Sequence, residues 1–152
     1  MRVLAVDYGT KRVGLALSDL LEITVNPLTV LTRKGGDREV IEAIARIVEA
    51  EAVEEVVVGL PVNMDGSHGP AAAAAEAFAA KLAARLKVPV FTHDERLTSE
   101  EAEGILMSEG VQRSRRRGRV DPVAAALILR SYLGSPERLA RQRSGQRGEE
   151  GA

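Results

Sequence analysis

The stretch Val3-Leu4-Ala5-Val6-Asp7-Tyr8-Gly9-Thr10-Lys11-Arg12-Val13-Gly14-Leu15-Ala16-Leu17-Ser18 limits the fold more than any other part of the chain. Four apolar residues run directly into an aspartate, and a second apolar run follows a basic pair. A short uninterrupted apolar run with β-branched residues is the pattern of a strand covered on both faces. Residues 8–12 are too few for a crossover helix, so the second run, residues 13–18, pairs antiparallel with the first. Asp7 then stands where a buried strand leaves the core. A carboxylate in that place is costly unless it is paired or holds a metal, so Asp7 requires a partner elsewhere in the chain.

The 152 residues suit one domain with its own core. Aromatic residues make up only 3%, which leaves Val, Leu, Ile and Ala to build it. Cysteine is absent. That excludes disulfides and thiolate metal sites and fits a reducing compartment. No apolar run reaches the ~18 residues of a spanning helix, and Asp7 interrupts the run a signal peptide would need. The expectation is a soluble, cytoplasmic protein with no membrane partner. The formal net charge is −1, so the distribution of charge, not its total, bears on nucleic acid binding.

After the first two strands, Asn26-Pro27 marks a turn and residues 28–31 a third strand, which completes an antiparallel meander. Val40, Ile41, Ile44, Ile47 and Val48 follow helical spacing, with Asp37 as the N-cap. Glu55-Val56-Val57-Val58-Gly59 is a fourth strand, parallel to the first because a helix precedes it. Residues 60–67 form a loop of turn formers. A helix opens at Pro70 with Phe78, Leu82 and Leu86 on its apolar stripe. Residues 89–92 are a fifth strand. Thr98-Ser99-Glu100-Glu101 is a capping box for a helix to about residue 109. Asp121-Pro122 starts a last helix through Tyr132. This order gives one α/β domain over residues 1–134, a five-stranded mixed sheet flanked by helices. Residues 135–152 are polar and are expected to form a disordered tail.

In this topology strands one, four and five share the edge where ligands gather in open α/β sheets. Asp7 ends strand one, Asp94-Glu95 ends strand five, and Asp121 begins a helix that can pack beside strand one. Clustered carboxylates are tolerated mainly around a hard divalent cation, and Mg²⁺ or Mn²⁺ takes oxygen ligands. Such a cluster suits phosphoryl chemistry. Each acid has a plainer reading: Asp7 as a turn residue, Asp94 and Glu95 as a solvated pair or partners of Arg96, Asp121 as an N-cap before proline. Asn63, Asp65 and Ser67 lie on the loop after strand four, either to position a phosphate or ribose or as an ordinary polar turn. Arg113, Arg115, Arg116, Arg117 and Arg119 fall within seven residues. That single-sign run favours contact with a phosphate backbone, which would weaken with salt. Lys11 and Arg12 add to the same field. His93 reads as structural. Neither it nor His68 supports a Ser-His-Asp set, and Gly9 to Gly14 lacks the Gly-Lys-Ser/Thr of a P-loop.

Four blocks in this order, Asp7-Tyr8-Gly9-Thr10-Lys11-Arg12-Val13-Gly14-Leu15-Ala16, Gly59-Leu60-Pro61-Val62-Asn63-Met64-Asp65-Gly66-Ser67, Asp94-Glu95-Arg96-Leu97-Thr98 and Val120-Asp121-Pro122-Val123-Ala124-Ala125, together resemble the YqgF family. Its members are described as Holliday junction resolvases and as pre-16S ribosomal RNA nucleases. The resemblance covers residues 1–133 and implies a ribonuclease H-like fold and a divalent-metal nuclease. By the same resemblance Asp7, Glu95 and Asp121 match the family's acids. The neighbouring junction resolvases carry their second acid after strand four, where this chain has Gly59-Leu60-Pro61. That departure moves the second ligand to strand five and leaves Asp94 beside Glu95 as a candidate.

The resulting expectation is a Mg²⁺- or Mn²⁺-dependent nuclease acting on structured nucleic acid. Asp7, Glu95 and Asp121 hold the metal. Lys11, Arg12, Asn63, Ser67 and the five arginines at 113–119 contact the substrate. Precursor 16S ribosomal RNA, alone or in a ribosomal precursor particle, is the preferred substrate, with a four-way DNA junction as the alternative. The oligomeric state is left open between monomer and homodimer. Two rivals come from other classes. An actin-like sugar or acetate kinase also opens with Asp-x-Gly-Thr but needs two such domains. A non-catalytic RNA-binding factor has no use for three acids.

Overall fold

The computed structural model describes residues 1–97 and 122–150. The expected helix after residue 98 with its capping box, the arginine-rich segment 113–119 and Asp121 lie outside the described residues. The elements in order are β1 (Val3–Tyr8), β2 (Arg12–Ser18), β3 (Val25–Thr32), α1 (Arg38–Ala50), β4 (Glu55–Leu60), α2 (Pro70–Arg85), β5 (Val90–Asp94), a single 3-10 turn (Glu95–Leu97), α3 (Pro122–Leu133) and α4 (Pro136–Glu150). The sheet order is β3-β2-β1-β4-β5. β2 is antiparallel to β1 and to β3, while β4 is parallel to β1 and to β5. This is the expected meander extended by two parallel strands.

The central strand is buried on both faces, and alternation sorts its side chains. Leu4 and Val6 join Val13, Leu15, Val56 and Val58 under α1 and α2. Val3 and Ala5 join Ala16, Val57 and the α3 residues Ala125, Ile128 and Leu129 on the other face. The α3 face is rich in small residues, Ala5, Ala16 and two alanines of the helix, which lets the helix lie close to the sheet. Ala72, Ala75, Phe78, Ala79 and Leu82 form the buried side of α2, as the apolar stripe predicts.

Three expectations are corrected. Asn26-Pro27 is not a turn but lies inside β3, where Pro27 is opposite Ala16 beside a register shift at Leu15/Ala16. β3 is an edge strand, so a missing N–H and an irregularity are both tolerated there. The turn instead occupies residues 19–24, where the Asp19 carboxylate accepts from the N–H groups of Ile23 and Thr24. Asp37 stands at the N-cap position of α1 but makes no side-chain cap bond, because its carboxylate is engaged in tertiary contacts. The third correction concerns the tail. α4 is a helix, and its Arg138 is 2% exposed.

Arg138 explains why α4 docks. Its Nε donates to Glu55 Oε2 at 3.0 Å, and its NH2 donates to Glu22. The Tyr132 hydroxyl donates to the same Glu55 oxygen at 2.7 Å, and the Arg141 guanidinium stacks 4.0 Å above the Phe91 ring. Glu55 starts β4, so this cluster lies at the end of the sheet away from Asp7. Removing one partner of a buried ion pair strands the other charge, which costs about 3–5 kcal/mol. Arg138→Ala is therefore expected to lower unfolding free energy by about that amount, and truncation after Gly134 is expected to do the same. Urea titration followed by circular dichroism measures both; unchanged midpoints would show that the tail is dispensable for the fold.

Candidate active site

Asp7 is the penultimate residue of β1 and is half-buried. It pairs with Gly14 across the β1–β2 ladder and shares the α3 face with Ala5. Gly59 is the penultimate residue of β4, on the same face as Val57, and pairs with His93 of β5. Residues 91, 93 and 95 continue that face past the end of β5. The alternation of three parallel strands thus places Asp7, Gly59 and Glu95 on one side of one sheet edge.

Glu95 opens the 3-10 turn directly after β5. Its carboxylate lies over Gly59: a Cβ built on that glycine would stand 2.7 Å from Glu95 Oε1. Burial first, then the negative charge of Asp7, then that of Asp94, push the Glu95 carboxyl up to about 7. Glu95 therefore lies within the electrostatic field of Asp7. Asp94 is turned to another use. It accepts from the backbone N–H of Arg96 at 2.9 Å and from the Arg96 guanidinium at 2.7–3.2 Å. The hydrogen bond from Arg96 holds the Asp94 carboxyl below its ordinary value. Of the two adjacent acids, Asp94 is thus engaged by Arg96, while Glu95 is the one that lies over Gly59. Among the described residues no group of three metal-ligating side chains forms, and Asp121 is outside them.

α3 runs counter to β4. Ile128 lies against Gly59, and Tyr132 reaches Glu55 at the strand's other end. The start of α3, at Pro122, therefore points toward the edge that holds Asp7 and Glu95. His93 lies below Glu95, buried, with Nε2 2.9 Å from Ser131 Oγ of α3 and its ring edge-on to Tyr132. Burial, the largest influence, lowers its pKa. This matches the structural reading of His93.

The loop after β4 is a closed turn. Asn63 Nδ2 donates to Ser67 Oγ, while Ser67 N and Oγ both donate to Asp65 Oδ1. Gly66 has φ +89°, a conformation that favours glycine. Arg96 NH1 donates to the Met64 carbonyl at 3.4 Å, which ties this loop to the end of β5. Asn63 and Ser67 are exposed but shape the turn first. Lys11 and Arg12 are also exposed, and Arg12, two residues from Gly14, shares the face of Asp7.

A second feature escaped the sequence pattern. Tyr8, next to Asp7, points to the opposite face, stacks on Phe78 with centroids 4.3 Å apart, and donates to Asp37 Oδ1 at 2.7 Å. Arg33 Nε and Lys81 Nζ donate to the same carboxylate at 2.7 and 3.0 Å. Arg33 also donates through its guanidinium to the Thr10 carbonyl and through its backbone N–H to the Lys11 carbonyl. This network anchors the strand end and the turn beyond Asp7. Burial and the Asp37 hydrogen bond push the Tyr8 hydroxyl up to about 12. Burial works to raise the Asp37 carboxyl, but hydrogen bonds from Tyr8, Lys81 and Arg33 outweigh it and hold the group below its ordinary value. A depressed folded-state pKa contributes stability above the unfolded value that is lost as pH falls through the folded one. Asp37→Asn is thus expected to destabilise the protein at neutral pH and to shrink that difference at pH below the carboxylate range. Thermal unfolding of both proteins between pH 2 and 7 checks the sign.

A family model described as "RuvX: Holliday junction resolvase" matches residues 1–135. A "Putative pre-16S rRNA nuclease" of Pelotomaculum thermopropionicum is 44% identical over 146 residues, covering 96% of this chain and 95% of the relative. A protein of the same description from Anaeromyxobacter dehalogenans is 47% identical over 133 residues, covering 88% of this chain and 96% of that one. Among solved structures, Thermus thermophilus RuvC superposes with a TM-score of 0.58 at 16% identity, covering 88% and 93% of the two chains. The same enzyme in complex with a Holliday junction substrate gives 0.56 at 18% identity, covering 88% of this chain and 92% of that one. At these identities the structural likeness shows a shared ribonuclease H-like fold.

Proposed function

This chain belongs to the RuvX family, a nuclease family, and from that premise we propose that it is a divalent-metal-dependent nuclease that processes precursor 16S ribosomal RNA. The observation that carries the metal part is the half-buried pair Asp7 and Glu95, with the Glu95 carboxyl pushed up to about 7 by burial and by its neighbour. Carboxylates crowded in this way are stabilised when a cation replaces the proton. The donor set fits a hard ion such as Mg²⁺ or Mn²⁺: it is all oxygen, and the chain has no thiolate to attract a softer metal.

In this reading Asp7 and Glu95 hold the ion, and Asp121, one peptide bond before the first residue of α3, supplies the third carboxylate. When bound, a divalent cation lowers the pKa of water and stabilises charge on the reacting phosphate. Arg96 occupies Asp94, so Asp94 does not compete for the ion. Lys11 and Arg12 flank the acids on the β1–β2 turn and meet the backbone phosphates next to the reacting one. The arginines at 113, 115, 116, 117 and 119 grip more distant phosphates. Asn63 and Ser67 offer the exposed side of their turn to the same strand. Among the described residues no helix is long and apolar enough to cross a membrane, and a cytoplasmic place beside the ribosomal precursor fits this reading.

The names of the relatives favour ribosomal RNA. The family model's description favours a second reading, cleavage of four-way DNA junctions, which calls for two symmetric cuts and hence a homodimer, whereas trimming of RNA needs only a monomer. The deciding assay compares wild type and Asp7→Asn on precursor 16S RNA, a four-way DNA junction and unstructured strands, with Mg²⁺ or Mn²⁺. Wild type is expected to cut the RNA. Because a catalytic ion supplies several kcal/mol of transition-state stabilisation and ~1.4 kcal/mol is tenfold in rate, Asp7→Asn is expected to lose at least about 100-fold. Preferential cutting of the junction would select the second reading. Undiminished turnover in Asp7→Asn would remove the metal site, and RNA affinity without turnover would indicate a binding factor.

A further inference from the structure

β4 reads Glu55-Val56-Val57-Val58-Gly59-Leu60, every residue of which is buried. A glycine weakens such a strand, because it loses more conformational freedom than any other residue and packs nothing. The backbone does not require it: Gly59 lies in regular parallel pairing, opposite His93, and has no positive φ. What it supplies is room. A Cβ at this position would stand 2.6 Å from Ile128 Cδ1, 2.7 Å from Glu95 Oε1 and 3.2 Å from Glu95 Cγ. Distances that short force one or both side chains to move. Ile128 is 3% exposed, so it has little space into which to retreat. Glu95 stands at the sheet edge, where it is the easier of the two to displace, and its displacement changes its relation to Asp7.

We propose that Gly59 is a positioning residue: its missing side chain is the seat in which the Glu95 carboxylate rests beside Asp7. Two strand ends then share one acid site although only β1 contributes its carboxylate from within a strand. The acid of β5 reaches back across β4, and β4 yields the space. This rests on the metal-nuclease reading for its consequence, since the seat brings two oxygen donors to one ion. The seat itself is a matter of packing and is testable without that chemistry.

The test introduces Gly59→Ala alone, with Ile128→Val, which deletes the Cδ1 atom and leaves only the Glu95 contact, and with Glu95→Ala, which empties the seat. Thermal unfolding, Mn²⁺ binding by calorimetry and cleavage are measured for each. Outer residues that orient metal ligands typically change affinity by about 10–100-fold when replaced. Gly59→Ala is expected to weaken Mn²⁺ binding and cleavage by about that factor, Ile128→Val alone to leave both near wild type, and the Gly59→Ala/Ile128→Val pair to remain weak. In stability, the penalty of Gly59→Ala should shrink in the Glu95→Ala background, the coupling expected of two groups that occupy one space, and should disappear only when Ile128→Val is added to remove the remaining contact. Wild-type Mn²⁺ affinity in Gly59→Ala, full recovery with Ile128→Val, or an undiminished stability penalty after Glu95→Ala would each overturn the proposal. If wild type itself binds no Mn²⁺, the metal reading fails, and the stability cycle still decides whether Gly59 seats Glu95.

Discussion

A half-buried carboxylate at the edge of the sheet, within the field of the acid near the end of the central strand, is the constraint around which the neighbouring elements are placed. Asp7 cannot withdraw, because β1 is the central strand and its residues are buried on both faces. Glu95 opens the tight turn directly after β5, with its carboxylate seated over Gly59. Burial first, and the charge of Asp7 second, raise the Glu95 carboxyl above its ordinary value. Under the proposed reading, a cation in place of the proton would relieve this cost.

Polar clusters hold the two ends of the sheet. Near Asp7, the carboxylate of Asp37 gathers Tyr8 of β1, Lys81 of α2 and Arg33 just past the end of β3. At the opposite end, Glu55 gathers Tyr132 and Arg138. Each cluster buries charge that the apolar layers would not accept alone, and each satisfies that charge with several donors. The core between them is built almost wholly of aliphatic side chains and alanines, consistent with the low aromatic content.

Much of this was legible in the chain because the local signals agreed. Apolar runs, helical spacing in α1, the proline that opens α2 and the acid that ends β1 all led to one topology. Glu95 is preferred to Asp94 only through the family resemblance, since the two are adjacent and equally acidic; the hydrogen bonds from Arg96 to Asp94 and the place of Glu95 over Gly59 were not legible in the chain. Pro27 misled because edge strands accept proline, which requires knowing that β3 is at the edge. Asp37 misled because an aspartate before a helix has a local use, and only tertiary structure reveals that Tyr8, Arg33 and Lys81 claim it first. The ordered start of α4 hid behind polar composition: Arg138 reads as solvated until Glu55 and Glu22 are seen around it. Gly59 left a faint signal, a glycine within a run of valines.

The counter-running course of α3 has a geometric consequence. Its twelve residues make a rod of about 18 Å, clamped at one end by Tyr132 and the Glu55 cluster and lying across Gly59 on the way. A rod fixed at its foot acts as a gauge. The height of its first turn above the sheet is set by the number of residues between clamp and tip, and its rotational phase by the 3.6-residue pitch. Adding or removing one residue within α3 would therefore change both the reach and the bearing of its leading end, with no change to any residue at the sheet edge itself.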